Sequence, residues 1–526
     1  MSRKWWFFFT RAHHQTLLQE PVLFKRNLIA NYVGQGYAAF IAVAILPMYI
    51  QYLGIEAYGL IGVYTVAFAL LGFVDSVMQT VVTREMAHFS DETLPHTRSR
   101  RVFLRAIEVI VLAVMAVIVA GFWIASDIAA VHWVKAERLP IEMVSVSIAW
   151  IGVVVSLRLL EGLYRACLMG LQRHVGYNAL HVFNASVRWI GSLVVVAWVS
   201  PTVTAFFVWQ AAAATIAAGL LRFATYYYLP KDQAAVQFSF SGIRNASRFG
   251  SGVLLISFLA LLLTQLDKVL LSEMLTLTEF GYYSLANTVS AGLMLVVFPV
   301  ADTFYPRMSE LHAQHKPSDA AHVFHLGSQI VSVTVGSLAV VMIFFAEPIL
   351  QLWTHDIALA QRVAPLLRLL VLGYLLNALY WMPYRAQLAH GWTRLAACIN
   401  LVAVLVLVPA VMYVVPRCGA IGAAWIWVCL NVGYVIIGSK LMFRKIMRGE
   451  SNGWYWADNA KPLLHSLICI LIFFALFDEQ ASMLWNAGYI LGSWVIGFCV
   501  SALSTSLLSR YVRAYIGGLL PLSNHR

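Results

Sequence analysis

The residues of this 526-residue chain whose types and spacing could do chemistry are ionisable side chains set inside apolar sequence. Arg158, Glu161 and Arg165 share one such stretch. At about 100° per residue they fall within an arc of roughly 60°, so they occupy one helix face. Arg158 and Glu161 can be a compensating pair that lets the helix insert. The other reading leaves Arg158 or Arg165 free to meet an anion, because guanidinium groups fork onto phosphate and carboxylate. Arg188 stands mid-way along the next stretch with no acidic residue within four positions, which marks it as an unpaired cavity candidate. Asp267 and Lys268 are neighbours pointing about 100° apart, so they form no simple helical pair. One can face a cavity while the other pairs across helices or snorkels. Asp75 and Asp302 are candidates to carry a coupling ion or balance the arginines, with interhelical bonding as the structural alternative. Asn31 and Gln35 share a face at i, i+4, and Gln265, Asn287 and Asn377 add amides that equally serve to join helices.

Other apparent motifs carry little. Gly433-x4-Gly438-Ser439-Lys440 has Ser and Lys in the wrong order for a phosphate-binding loop and ends an apolar run rather than following a strand. His312, His315, His322 and His325 match no familiar zinc spacing. The six cysteines lie in or beside apolar runs without a C-x-x-C pair and read as small hydrophobes. No cofactor is expected, and neither metal nor nucleotide has a motif here.

The elements that must position these residues are set by composition. The chain is 61% hydrophobic and 11% charged, against about 25% charged in a typical soluble protein. Its apolar runs are continuous and long enough to cross a hydrocarbon layer of roughly 30 Å, not the ten-residue alternation of a barrel strand. The expected fold class is therefore all-α integral membrane, with about fourteen spans. They are placed near 28–50, 58–83, 103–125, 142–168, 178–199, 203–228, 250–273, 281–305, 328–346, 364–389, 393–415, 421–443, 462–478 and 483–509. Pro47, Pro299, Pro383 and Pro409 interrupt backbone bonding inside four of them.

Orientation follows from the cations. Of 36 Lys and Arg, only Lys135, Arg138, Arg362 and Arg417 fall in one set of loops; the other set carries nearly all the rest. The positive-inside rule then puts both termini in the cytoplasm. It also explains the net charge of +12 by anionic headgroups, without nucleic acid. The longest outer loops, near 126–141 and 347–363, hold no separate domain, so function must sit inside the bundle.

An internal repeat divides the bundle. Ala57-Tyr58-Gly59-Leu60 corresponds to Glu279-Phe280-Gly281-Tyr282, and Met86 to Met308, both at an offset of 222. Tyr164-Arg165-Ala166-x-Leu168 matches Tyr384-Arg385-Ala386-x-Leu388, and Asn178 matches Asn400. By this alignment Asp75 and Asp302 are not equivalent positions. Six spans per unit gives a parallel repeat, and transporters built from repeats hold substrate near the midplane between them. The expected divisions are an N-terminal arm (1–27), an N-lobe (28–228), a linker (229–249), a C-lobe (250–443), a loop (444–461), two appended spans (462–509) and a tail (510–526).

Asn31, Gly34, Leu46-Pro47, Leu53-Gly54-x3-Tyr58-Gly59 and Asp75 open the first unit. Gln265-Leu266-Asp267-Lys268, Phe280-Gly281-Tyr282-Tyr283 and Tyr305-Pro306-Arg307-Met308-Ser309 open the second. In order and spacing these motifs resemble the Wzx-type polysaccharide transporter branch of the MOP flippase superfamily, over roughly residues 27–450. The resemblance implies two six-helix lobes around a polar cavity. It implies an inner-membrane flippase that carries an undecaprenyl-pyrophosphate-linked oligosaccharide to the periplasmic leaflet for surface polysaccharide such as O-antigen. H+ or Na+ coupling, and a complex with a polysaccharide polymerase or chain-length regulator, go with that reading. The appended pair of spans is more like the lipid II flippase branch. The alternatives are a cation-coupled multidrug or small-molecule antiporter of the same superfamily, which would want acidic residues, and a membrane polysaccharide polymerase, which would want a larger outer loop.

Overall fold

A computed structural model describes residues 33–88, 97–229 and 265–510. They form helices joined by short turns and divide into two compact units, Met1–Gln265 and Leu266–Arg526. The first unit holds α1 (Val33–Leu53), α2 (Ile55–His88), α3 (Thr97–Ile128), α4 (Ile141–Gly170), α5 (His174–Val194) and α6 (Val203–Tyr228). The second begins with α7 (265–274), α8 (Leu277–Ala291), α9 (Met294–Ala313), α10 (Pro317–Phe344), α11 (Ala346–Thr354) and α12 (Ile357–Ala389). It continues with α13 (Thr393–Gly433), α14 (Ser439–Lys445), α15 (Lys461–Ala475) and α16 (Met483–Ser504).

Twelve helices among the described residues are long and apolar enough to cross a membrane. The 52-residue segment Arg394–Lys445 is one of them, and it contains two expected spans that meet at Gly419, whose φ of 58° is not helical. The expected seventh span lies mostly outside the described residues, with α7 as its described end. The count of about fourteen agrees with these facts. The protein is a multi-pass membrane protein of all-α class.

Several helices start with side-chain caps: Thr202 for α6, Thr276 for α8, Asp356 for α12 and Ser482 for α16. These satisfy one of the orphan N–H groups at each helix start. At three helix ends the chain turns with a repeated six-residue closure. Arg173 N–H donates to Leu168 O at 2.9 Å and Trp392 N–H to Gln387 O at 2.9 Å, around left-handed Gln172 and Gly391. Lys316 N–H to Leu311 O, at 3.0 Å around left-handed His315, has the same form. This is the Schellman pattern, in which the reversed backbone recovers orphan carbonyls.

In the first unit α4 is central, packing on α2, α3 and α6. The α2–α4 approach is close: a Cβ on Gly170 would lie 2.6 Å from Met86 Cβ, and Thr83 Oγ1 donates to Ala166 O at 3.2 Å. At the far end Glu56 accepts the backbone N–H groups of Glu137 (2.6 Å) and Arg138 (3.0 Å), tying the start of α2 to the α3–α4 turn. In the second unit α12 packs on α8, α9, α10 and α13, so the repeated second and fourth spans pair in both units.

The appended helices α15 and α16 pack on α10. Their anchor is Gln329 of α10, fully buried. Its Nε2 donates to Asp458 Oδ1 (2.7 Å) and Ser506 Oγ (3.1 Å), and its Oε1 accepts from Leu507 N–H and Leu508 N–H (3.0 and 3.1 Å). One amide thus meets the segment before α15 and the segment after α16. His325, one turn earlier, bonds Asp458 and also Glu450 at 3.1 Å.

Candidate functional site

A cavity of about 310 Å³ opens within the first unit, walled chiefly by α2, α4 and α5. Five of the residues singled out from sequence line it: Asp75, Arg158, Glu161, Arg165 and Arg188. Asp75 enters from α2. It has room because Gly162 of α4 faces it; a Cβ there would overlap the carboxylate. Arg158, Glu161 and Arg165 project from one face of α4, as the helical spacing predicts. Arg188 projects from α5.

The pairing differs from the expectation for Arg188. It is not alone: its Nη2 donates to Glu161 Oε1 at 2.7 Å, across 27 residues and two helices. Glu161 is shared, because Arg158 Nη1 donates to its other oxygen, Oε2, at 3.3 Å. The Arg158 guanidinium also lies 4.8 Å from the centre of the Phe68 ring, a cation–π distance. Arg165 pairs with Asp75. Three guanidiniums and two carboxylates leave the cavity one positive charge in excess when all are ionised.

Polar capacity remains unused at this wall. Nε of Arg158, Nε of Arg165, Oδ1 of Asp75 and Oδ1 of Asn184 are buried without a hydrogen-bond partner. A buried polar group without a partner costs about 1–3 kcal/mol, so a site that keeps several is suited to a polar guest. Tyr177, His181 and Asn184 also line the cavity and were not singled out from sequence. Their signal was legible: with Arg188 they recur at spacings of 4, 3 and 4, one face of α5. The Tyr177 and His181 rings stack at 5.6 Å.

The remaining candidates lie elsewhere. Asn31 falls outside the described residues, and Gln35 is exposed on α1 without lining the cavity. Lys268, Asp267 and Asp302 belong to the second unit. Asp302 pairs with Arg385, which also lies 5.5 Å from the Tyr305 ring. Asp75 and Asp302 are not aligned in the repeat, yet their pairing is parallel. Their partners, Arg165 and Arg385, are the repeat-equivalent arginines of the two Tyr-Arg-Ala motifs, so both carboxylates do the same work from non-aligned positions. A long guanidinium arm reaches either turn. Asn287 accepts from Tyr374 at 2.9 Å and Asn377 donates to Asn431 at 2.8 Å, so these amides join helices. The histidines disperse: His325 joins the α10 anchor, and the His312 ring meets His390 at 4.2 Å. Among the described residues no group of three or more His, Cys, Asp or Glu could hold a metal ion.

Residues 24–312 match the model of the family described as polysaccharide biosynthesis protein, which is more than half of the chain. The chain belongs to that family. A MatE family model matches residues 252–414. A Shigella flexneri protein named "Putative O-antigen transporter" is 21% identical over 414 residues, covering 76% of this chain and 93% of that protein. Among solved structures, the lipid II flippase MurJ in an inward closed conformation superposes with a TM-score of 0.68 at 12% identity, over 93% of this chain and 99% of that one. An inward-facing multidrug resistance MATE family transporter superposes at 0.62 with 11% identity, over 77% and 93%. The chain shares its fold with these two structures. The proteins so matched are named as a transporter, a flippase and a multidrug transporter.

Proposed function

We propose that the protein moves an undecaprenyl-pyrophosphate-linked oligosaccharide from the cytoplasmic to the periplasmic leaflet of a bacterial inner membrane, for surface polysaccharide synthesis. The observation that carries this reading is the cavity with its surplus guanidinium, set in a member of the polysaccharide biosynthesis family. Arg158, Arg165 and Arg188 take the pyrophosphate or an acidic sugar, and the polyprenyl tail stays in lipid. The low dielectric around the pocket strengthens each contact relative to water. Lys268, Gln35 and Asn31 are further candidates to contact the cargo. The N-lobe (28–228) and C-lobe (250–443) alternate access between leaflets, with 462–509 appended and both termini cytoplasmic. Asp75, Glu161, Asp267 and Asp302 balance charge or exchange H+ or Na+. A polymerase or chain-length regulator is the expected partner on the route to the surface.

The test is expression in a cell that lacks its own flippase. Wild-type protein restores surface polysaccharide, and Arg188→Ala at matched abundance does not. Full restoration by Arg188→Ala removes Arg188 from the mechanism. The MatE match supports a second reading, a small-molecule antiporter; its expected readout is drug efflux, and the cationic cavity weighs against cationic drugs.

A further inference from the structure

Glu161 sits where a guest anion would sit. Both of its oxygens are held, one by Arg188 of α5 at 2.7 Å and one by Arg158 of α4 at 3.3 Å. Guanidiniums from two helices converging on one carboxylate is the arrangement that also grips a phosphate or a sugar acid. The seat is built inside the protein: the Arg188 side chain is 9% exposed and Glu161 14%. Asn184, 8% exposed, lines the same cavity and keeps an amide oxygen without a hydrogen-bond partner. An unfilled amide and a filled two-arginine seat in one cavity describe a site half occupied by its own chain. The strap also spans a thin joint. Helix α4 packs mainly on α2, α3 and α6, and meets α5 only over a short stretch, whereas α5 packs chiefly on α6.

We propose that Glu161 is a tethered competitor for the anion of the cargo. In the empty cavity it occupies the Arg158–Arg188 seat. A phosphate or carboxylate of the guest displaces it, and in doing so releases the bridge between α4 and α5. Binding and loosening of the helix pair are then one event, a way to connect occupancy to movement. Glu161 is in this sense a positioning residue, acting through the two arginines, and the idea rests on the flippase reading of the cavity.

The experiment uses the full-length protein in nanodiscs, titrated with two probes, inorganic pyrophosphate and glucuronate, with affinity read by calorimetry. The two probes separate the two sources of an anion, the pyrophosphate linkage and an acidic sugar. A carboxylate that competes must weaken guest binding, so Glu161→Gln is expected to bind at least one probe about tenfold more tightly than wild type. Arg188→Met is expected to bind it about tenfold more weakly. A purely structural Glu161 would move affinity the other way, since losing a strut loosens the seat. Equal or weaker binding by Glu161→Gln, or no binding of either probe by any variant, overturns the proposal. If Glu161→Gln does not fold, Glu161→Asp keeps the charge but shortens its reach, and must bind more tightly than wild type. Surface polysaccharide is scored separately. Tighter binding by Glu161→Gln with no polysaccharide from wild type would leave the competitor standing and remove the flippase reading.

Discussion

Replacing Arg188 and Glu161 singly and together separates a substrate contact from mere charge balance. The wild-type cavity carries one surplus positive charge from three arginines and two carboxylates. Arg188→Met brings it to neutrality and leaves Glu161 with Arg158 alone; Glu161→Gln raises the surplus to two. The double variant returns it to one, removes the Arg188–Glu161 pair as a unit and leaves Arg158 facing a neutral amide. Breaking a buried pair by removing one partner costs about 3–5 kcal/mol. Glu161 keeps the Arg158 contact at 3.3 Å and some exposure, so the lower end applies, about 3 kcal/mol for Arg188→Met. The double variant should recover about 2 kcal/mol of that, the size of a hydrogen bond to a charged group. Thermal unfolding in detergent reads the stability arm, and polysaccharide export in a flippase-deficient cell reads the function. Stability should return in the double variant while export stays lost, because the guest still lacks one guanidinium. Export restored along with stability would show that Arg188 serves only to neutralise Glu161, and would refute its place in substrate binding.

Gly162→Ala should drive Asp75 away from Arg165, since the added Cβ overlaps the carboxylate; overpacking of this kind costs about 1–3 kcal/mol, read as a lowered melting temperature with export reduced. Gln329→Ala strips Asp458 Oδ1 and two backbone N–H groups of their Gln329 partner, and at about 1–3 kcal/mol per stranded group should free α15 and α16 to proteolysis at their joints before the rest of the chain. Glu56→Gln keeps the shape but removes the charge that holds the α3–α4 turn, for an expected loss of about 1–2 kcal/mol, measured as faster hydrogen exchange at residues 137–139. Gln172→Gly should be neutral or stabilising by up to about 1 kcal/mol, because the residue already has φ near 56° where glycine is unstrained.

The sequence by itself determined the helices and their faces. Apolar runs of span length must be helical in lipid, since only intrahelical bonding satisfies the backbone there. The 3.6-residue period alone put Arg158, Glu161 and Arg165 on one side of α4. The period also held Tyr177, His181, Asn184 and Arg188 on one side of α5, although those polar positions drew notice only at Arg188. What the tertiary structure decided was who meets whom. Arg188 looked unpaired because its carboxylate stands 27 residues away on another helix, beyond any rule of spacing along one helix. Asp75 and Asp302 looked unrelated because they do not align in the repeat, yet each finds the equivalent arginine. The reason is physical. A helix fixes direction residue by residue, while an arginine side chain spans a turn or more and takes whichever carboxylate the packing of its neighbours, here allowed by Gly162, brings within reach.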